Sequence, residues 1–273
     1  MKKLVCLLVL PLLLTAFTHH TISWVAIGDS ITYLNEHPNE TGNRVTKGYL
    51  TRVTEKLPYI HYTNQGHNGW TSSNIARSIE KLGIPPADVY SVFLGTNDWW
   101  HSNHIGSWPD YSNNTGDTTV YGSFRIIIDK LRALNKDATI ILITPMPRAD
   151  FVQVGRPTNN AYGSYREKDG QTLEQVAEAI RTIAANEHLR VVDLYHDHHL
   201  SVPHLVHFKR LKDPQTGQYR NYTYPEYTTI PFDPAGEYPY PPEAIDMTYD
   251  GLHPSDKGDA LIAKRLIKIL RKL

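Results

Sequence analysis

The sequence predicts an α/β fold, a three-layer α/β/α sandwich built around about five parallel strands. Short apolar segments alternate with longer segments of helical periodicity along most of the chain. Strands joined by helices of this length form right-handed βαβ crossovers, which cover both faces of a parallel sheet. The length of 273 residues suits one domain with a substantial core.

Five short apolar segments predict the strands. The segment 139–144 (Thr-Ile-Ile-Leu-Ile-Thr) is the clearest, because it is a continuous run of aliphatic and β-branched residues. The segment 60–64 is more polar than the others, which favours a position near an edge of the sheet. In chain order, the predicted strands are 24–27, 60–64, 89–94, 139–144 and 191–194.

Five segments with a helical pattern lie between or after these strands. The segment 71–82 has a capping residue, Thr71 or Ser72, at its start and Gly83 as its stop signal. In chain order, the predicted helices are 47–57, 71–82, 121–134, 171–187 and 256–270.

Residues 1–20 predict a signal peptide of bacterial type. Lys2 and Lys3 precede an apolar run over 4–14, which is too short to span a membrane. The one cysteine, Cys6, lies inside this segment, so a mature chain has neither a thiol nor a disulfide. We therefore expect a secreted or periplasmic protein whose stability depends on its core.

The remaining residues, 21–273, predict a single domain with an insertion at 195–249. This stretch holds eight of the eighteen prolines, many tyrosines and histidines, and little periodicity. It is too poor in aliphatic residues to form a core of its own. Because it leaves the last predicted strand and returns just before Asp250, we expect its tyrosines to border the functional pocket.

The overall charge argues against polyanionic partners. The chain has 28 basic and 28 acidic residues, so no net field attracts it to nucleic acid or to an anionic membrane. We expect a small-molecule or glycan substrate and no membrane insertion after signal cleavage. The composition leaves the oligomeric state open.

Polar residues and glycines follow the predicted strands, at the edge where open parallel sheets bind their ligands. Ser30 follows the first strand in Gly-Asp-Ser, and Asn97 follows the third in Gly-Thr-Asn-Asp. Each motif alone is weak, since such residues most often cap helices or form turns. Near the C-terminus, however, Asp250 precedes His253 by three residues. A serine nucleophile needs such a histidine base, and the base needs a carboxylate to orient it.

Four short motifs, in this order, resemble those of the SGNH (GDSL-type) hydrolase superfamily of esterases and lipases. Ser30 lies in the first block, Gly69 in the second, Asn97 in the third, and Asp250 with His253 in the last. The resemblance implies a flavodoxin-like fold and a catalytic triad of Ser30, Asp250 and His253. It also implies an oxyanion hole formed by the backbone N–H of Ser30, the backbone N–H of Gly69 and the side-chain amide of Asn97.

Three alternative interpretations concern the oxyanion glycine, the role of Asp29 and the family. Gly66 competes with Gly69 for the oxyanion role, but Gly69 directly precedes the predicted helix cap, where N–H groups lack partners. Asp29 fits a structural role better than that of a second acid. An α/β-hydrolase is disfavoured because Thr32 stands where its G-x-S-x-G motif requires glycine.

Two further clusters bear on cofactors and substrate. Histidines between 196 and 207 could hold a metal. Because only one carboxylate lies nearby and the H-E-x-x-H motif is absent, we interpret this segment as a polar loop. We expect neither a catalytic metal nor a cofactor. Trp99, Trp100 and Trp108 lie in a polar stretch, 99–116, that predicts a loop. Tryptophans on a loop beside a site suit stacking against sugar rings, so we expect these three to bind substrate.

Together these observations predict a secreted serine esterase that hydrolyses short acyl esters, most simply acetyl esters, on carbohydrate through an acyl-enzyme. A lipase, lysophospholipase or thioesterase of the same superfamily is the nearest alternative. An alternative of another class is a non-catalytic carbohydrate-binding protein on a hydrolase scaffold.

Overall fold

A computed structural model of the protein describes residues 21–273. The predicted signal peptide, 1–20, lies outside the described residues. No helix within 21–273 is both long and apolar enough to cross a membrane.

The centre of the molecule is a five-stranded, all-parallel sheet with the strand order β2-β1-β3-β4-β7. This arrangement confirms the predicted fold class, and it places the more polar β2 at an edge. Two short antiparallel pairs, β5 with β6 and β8 with β9, lie outside this sheet. The strands are β1 (Ile22–Gly28), β2 (Ile60–Gly66), β3 (Val89–Phe93), β4 (Thr139–Ile143), β5 (Phe151–Val152), β6 (Asn160–Ala161), β7 (Arg190–Val192), β8 (Lys209–Lys212) and β9 (Tyr219–Tyr222).

Helices cover both faces of the sheet because successive side chains of each strand point to opposite sides. In β1, Trp24 and Ala26 belong to the core under α2 and α8, whereas Val25 and Ile27 belong to the core under α3, α6 and α7. The helices are α1 (Ser30–Tyr33), α2 (Tyr49–Lys56), α3 (Ser72–Ser78), α4 (Thr96–Trp100), α5 (Trp108–Ser112), α6 (Val120–Leu134), α7 (Leu173–Asn186) and α8 (Asp256–Leu270).

The stretch 99–116 differs from the predicted loop, because it contains the end of α4 and all of α5. Ser107 and Asp110 form a capping box at the start of α5, and Pro109 lies in its first turn. These local signals outweigh the polar composition of the stretch.

The insertion 195–249 packs against the main core, on the face covered by α2 and α8. Tyr227 and Tyr240 are buried there together with aliphatic residues such as Leu205 and Leu211. The expectation that its tyrosines border the functional pocket is wrong for all but Tyr249, the one residue of the insertion that lines it. The large apolar area of a tyrosine ring is stabilised by burial, which explains why these rings turn inward.

Candidate active site

Ser30 lies where β1 ends and α1 begins, at the carboxyl edge of the sheet. The Asp29 carboxylate accepts a hydrogen bond of 3.0 Å from the N–H of Ile31 and so caps α1. A Cβ atom at Gly28 would lie 2.1 Å from Oγ1 of Thr32, so the tight turn into the helix requires glycine. Ser30 is therefore held at a fixed point above the sheet.

His253 connects Ser30 to Asp250. Its Nε2 lies 2.9 Å from Oγ of Ser30, and its Nδ1 lies 2.7 Å from Oδ2 of Asp250. Because a carboxylate can only accept, Nδ1 carries a proton and neutral His253 presents an acceptor to the serine hydroxyl. This is the relay that activates a serine nucleophile.

The loop that carries the acid and the base is rigidly tied to the rest of the fold. Oδ1 of Asp250 accepts hydrogen bonds from the N–H groups of Leu252 (3.0 Å) and His253 (2.7 Å). Gly251 has a φ of +90°, and a Cβ there would lie 2.0 Å from the carbonyl oxygen of Asp150, so only glycine fits. The carbonyl of Asp250 also accepts a 3.0 Å bond from the N–H of Val152.

The electrostatics of the relay favour a basic histidine. Burial lowers the pKa of His253, but the charge of Asp250 and the hydrogen bond to it outweigh burial and raise that pKa above its usual value. Asp29 also raises it. The pKa of Asp29 itself is raised to about 6, chiefly by burial. Asp29 makes no direct hydrogen bond to His253 among the described contacts, which agrees with its predicted structural role.

The three predicted oxyanion donors come together at the same cavity. Ser30, Gly69 and Asn97 all line it with His253. Gly69 is exposed with a φ of +73°, and nothing lies within 4 Å of the position its Cβ would take.

The rival glycine is excluded by packing. Gly66 does not line the cavity, and a Cβ there would lie 2.2 Å from the backbone nitrogen of Tyr33, so its role is close packing of β2 against α1.

The Asn97 amide donates a 3.0 Å bond to the carbonyl of Trp70, which leaves its second N–H available.

Asp98, the last residue of the Gly-Thr-Asn-Asp motif, is a positioning residue whose contacts the motif did not predict. It is fully buried and accepts hydrogen bonds from the N–H (2.9 Å) and hydroxyl (2.7 Å) of Ser72 and from the amide of Asn103 (3.0 Å). The bonds to Ser72 join α4, which follows β3, to the start of α3. Because Asn97 and Gly69 lie on the two joined segments, Asp98 fixes the distance between the two donors.

The three tryptophans have different fates. Trp100 lines the cavity. Trp99 is fully buried and its indole N–H donates to the carbonyl of Gln171, so the expectation that it contacts substrate is wrong. Trp108 stacks on Tyr111 at a ring distance of 4.9 Å and does not line the cavity. Both are turned inward because α4 and α5 pack on the core, which a loop would not have done.

The cavity has a volume of about 360 Å³ and a mixed lining. It also contains Arg148, which the sequence reasoning missed because no motif surrounds it. The lining residues are Ser30, Leu34, Glu40, Asn68, Gly69, Asn97, Trp100, His101, Arg148, Phe151, Gln153, Val154, Asn159, Ala161, Tyr249, Asp250, Leu252 and His253.

The histidines between 196 and 207 do not converge on one point. His196 pairs with Asp193, and His204 lies 2.8 Å from the hydroxyl of Ser201. Within 21–273, only Asp197, His198 and His199 bring three ligand atoms close together, and Asp197 is already paired with Arg265 at 2.6 Å. None of these residues lines the cavity of Ser30.

Comparison with known proteins finds a matching family model and similar solved structures. Residues 26–261 match the model of the GDSL-like Lipase/Acylhydrolase family. A possible lipase from Chitinophaga pinensis DSM 2588 is 60% identical and superposes with a TM-score of 0.91 over 92% of this chain and 98% of that chain.

More distant solved structures share the fold. A protein from Lactobacillus plantarum is 20% identical, with a TM-score of 0.61 over 93% of this chain and 98% of that chain. The acetyl xylan esterase AlAXEase is 19% identical, with a TM-score of 0.54 over 91% of this chain and 100% of that chain. Among curated proteins, none matches the chain.

Proposed function

The chain belongs to the GDSL-like lipase/acylhydrolase family and is a carboxylic ester hydrolase, and from that premise we propose that it removes short acyl groups, foremost acetyl, from carbohydrate. The observation that carries the proposal is the hydrogen-bonded series from Ser30 through His253 to Asp250, which opens into a small cavity with a mixed lining of polar and apolar side chains.

In the proposed first half-reaction, Oγ of Ser30 attacks the ester carbonyl while Nε2 of His253 accepts the hydroxyl proton. The resulting imidazolium is stabilised by Asp250. The negative charge that develops on the carbonyl oxygen is bound by the N–H groups of Ser30 and Gly69 and by the free amide N–H of Asn97. His253 then donates its proton to the leaving alcohol, and the acyl group remains on Ser30.

In the second half-reaction, water attacks the acyl-enzyme and His253 again serves as the base. The same oxyanion donors act a second time. Collapse of the tetrahedral intermediate releases the carboxylic acid and restores the Ser30 hydroxyl.

The lining of the cavity supports a short acyl group and a polar alcohol. Its only aliphatic side chains are Leu34, Val154, Ala161 and Leu252. The amide side chains of Asn68, Gln153 and Asn159 offer donors and acceptors to hydroxyl groups, and Trp100 and Tyr249 offer aromatic faces. The other lining residues are those of the oxyanion hole and the relay, together with Glu40, His101, Arg148 and Phe151. We also retain, as part of this proposal, export of the enzyme by the signal segment 1–20.

A lipase or thioesterase is the second candidate, because the solved protein that is 60% identical is described as a possible lipase. Such an enzyme accommodates a long acyl chain. The two candidates therefore differ in how turnover depends on acyl length.

The experiment combines active-site labelling with a substrate series. A fluorophosphonate should label the wild-type protein and should not label Ser30→Ala; absence of labelling on the folded wild type would support a non-catalytic binding protein instead. Initial rates on 4-nitrophenyl acetate, butyrate, octanoate and palmitate, and on acetylated xylo-oligosaccharides, then decide the substrate. We expect kcat/KM to be highest for acetate and to fall steeply with chain length, and a maximum at octanoate or palmitate would favour the lipase.

A further inference from the structure

Arg148 is a buried cation beside the proposed nucleophile. It is 2% exposed, and it lines the same cavity as Ser30 and His253. Its guanidinium lies over the rings of Trp99 (4.8 Å) and Trp100 (4.6 Å), and one terminal nitrogen, Nη2, donates a 2.8 Å bond to the carbonyl of Tyr162.

The hydrogen-bonding capacity of this guanidinium is largely unused. Nε is sealed from solvent and has no partner. Nη1 also makes no hydrogen bond to any described residue, and unlike Nε it is not sealed from solvent. Since Arg148 is exposed only slightly and lines the cavity, this nitrogen is available to a molecule bound there.

Arg148 also lacks a carboxylate partner among residues 21–273. The negative charges of Asp150 and Asp250 act on Arg148, but their carboxylates are hydrogen-bonded elsewhere, Asp150 to Lys209 at 2.7 Å and Asp250 to His253. Glu40, at the cavity rim, is exposed and accepts a hydrogen bond from Tyr33. Burial lowers the pKa of Arg148 to about 10, so the group is still charged at neutral pH.

A buried charge without a partner is costly, and buried charges in proteins are normally paired. The aromatic faces of Trp99 and Trp100 offset only part of this cost. A planar guanidinium with free N–H groups is also the side chain best suited to bind a carboxylate.

We propose that Arg148 binds a carboxylate of the substrate, so that the preferred esters carry an acidic group close to the ester bond, as an acetylated uronic-acid glycan does. This inference rests on the proposed esterase function and narrows it to acidic substrates. The carboxylate belongs either to the alcohol part, as in an acidic sugar, or to the acyl part, as in a dicarboxylic half-ester.

The test measures a preference within pairs of esters that differ in one charge. For the alcohol part, the pair is 4-acetoxybenzoate and its methyl ester. For the acyl part, the pair is the mono-4-nitrophenyl ester of adipic acid and 4-nitrophenyl hexanoate, with non-enzymatic rates subtracted. We expect the wild type to prefer the acid in one pair by about 10- to 100-fold in kcat/KM, which is the size of one charge-assisted hydrogen-bonded contact.

The variant Arg148→Gln should abolish this preference, mainly through a higher KM for the acid, and Arg148→Lys should retain part of it. Arg166→Gln is the matched control, because Arg166 is an exposed arginine nearby that stacks on Tyr162 and Tyr165 and does not line the cavity. The control should keep the full preference. A merely structural role of Arg148 would instead lower the rates on both members of a pair equally.

Two results would overturn the inference: a wild type that hydrolyses each pair without preferring the acid, or an undiminished preference in folded Arg148→Gln. If Arg148→Gln does not fold, the preference of the wild type and its partial retention in Arg148→Lys decide the question. Failure of the esterase proposal looks different, because the wild type would then hydrolyse neither member of either pair faster than Ser30→Ala.

Discussion

Three segments of this chain contain an aspartate three residues before a histidine, and in two of them, Asp250–His253 and Asp193–His196, the two side chains are hydrogen-bonded to each other. In the pair Asp250–His253 the nitrogen Nδ1 lies 2.7 Å from the carboxylate, and in the pair Asp193–His196 it lies 2.9 Å away. Distance and spacing therefore do not distinguish them.

The two pairs are distinguished by their burial and by the group that faces the second nitrogen of each histidine ring. The side chains of His253 and Asp250 are 11% and 2% exposed, whereas those of His196 and Asp193 are 37% and 24% exposed. The second nitrogen of His253 faces the Ser30 hydroxyl, whereas that of His196 lies 3.4 Å from a carboxylate oxygen of Glu178. Water weakens the pair Asp193–His196, and the ion-pair contacts of Nε2 of His196 are with the carboxylates of Glu174 and Glu178 instead of a hydroxyl group. An Asp-His pair thus becomes a catalytic candidate through its surroundings.

The largest expected effect separates the two histidines. His253→Ala should lower kcat for 4-nitrophenyl acetate by about 10⁴- to 10⁶-fold, because the serine loses its base, and adding Ser30→Ala should cost little more. His196→Ala should keep nearly full activity. Steady-state kinetics on the purified variants measure both, and a comparable loss in the two single variants would mean that the comparison between the pairs is wrong.

The next effect concerns the donors for the developing oxyanion. Such donors lie beside the pair Asp250–His253, and the pair Asp193–His196 lacks them. Asn97→Ala should lower kcat by about 100- to 1,000-fold with little change in KM, since the donor acts on charge that appears only in the transition state. Thermal unfolding of the variant controls for folding. A change confined to KM would assign Asn97 to substrate binding.

A smaller effect concerns pH. Because the pKa of His253 is raised and only the neutral ring can accept a proton, kcat/KM should increase with pH through a midpoint above the ordinary histidine value of 6.5. Asp29 contributes to that raised pKa, so Asp29→Asn, which can still cap α1, should move the midpoint to lower pH. Asp193→Asn is the control and should leave the profile unchanged. A midpoint shifted upward in Asp29→Asn would contradict the assignment.

The last prediction concerns metal removal, for which we expect no change in activity. Prolonged treatment with EDTA should leave kcat/KM unchanged, because the proposed mechanism uses only protein groups. Activity that is lost with EDTA and restored by zinc or calcium would bring the group of Asp197, His198 and His199 into the mechanism, and His199→Ala would then identify it.

Local patterns in the sequence were sufficient for the central sheet and for the five longer helices, but not for the short helices α1, α4 and α5. Parallel strands that are buried on both faces have apolar sequences. The polar residues that follow these strands lie at one edge of the sheet, whatever the conformation of the connecting loops. This rule predicts that Ser30 and Asn97 lie at one edge of the sheet, whereas the triad of Ser30, Asp250 and His253 and the oxyanion role of Gly69 and Asn97 were implied by the resemblance to the SGNH hydrolases.

The direction in which each side chain points was decided by tertiary packing. Nothing in the sequence distinguishes Trp99, which is buried in the core, from Trp100, which lines the cavity. Tyr227 and Tyr240 are likewise buried although the segment 195–249 is rich in polar residues. The roles of Arg148 and Asp98 come from residues distant in sequence: Arg148 from the aromatic rings around it, and Asp98, although it ends the Gly-Thr-Asn-Asp motif, from Ser72. Burial and the supply of partners are properties of the assembled molecule, since each depends on contacts among many chain segments at once.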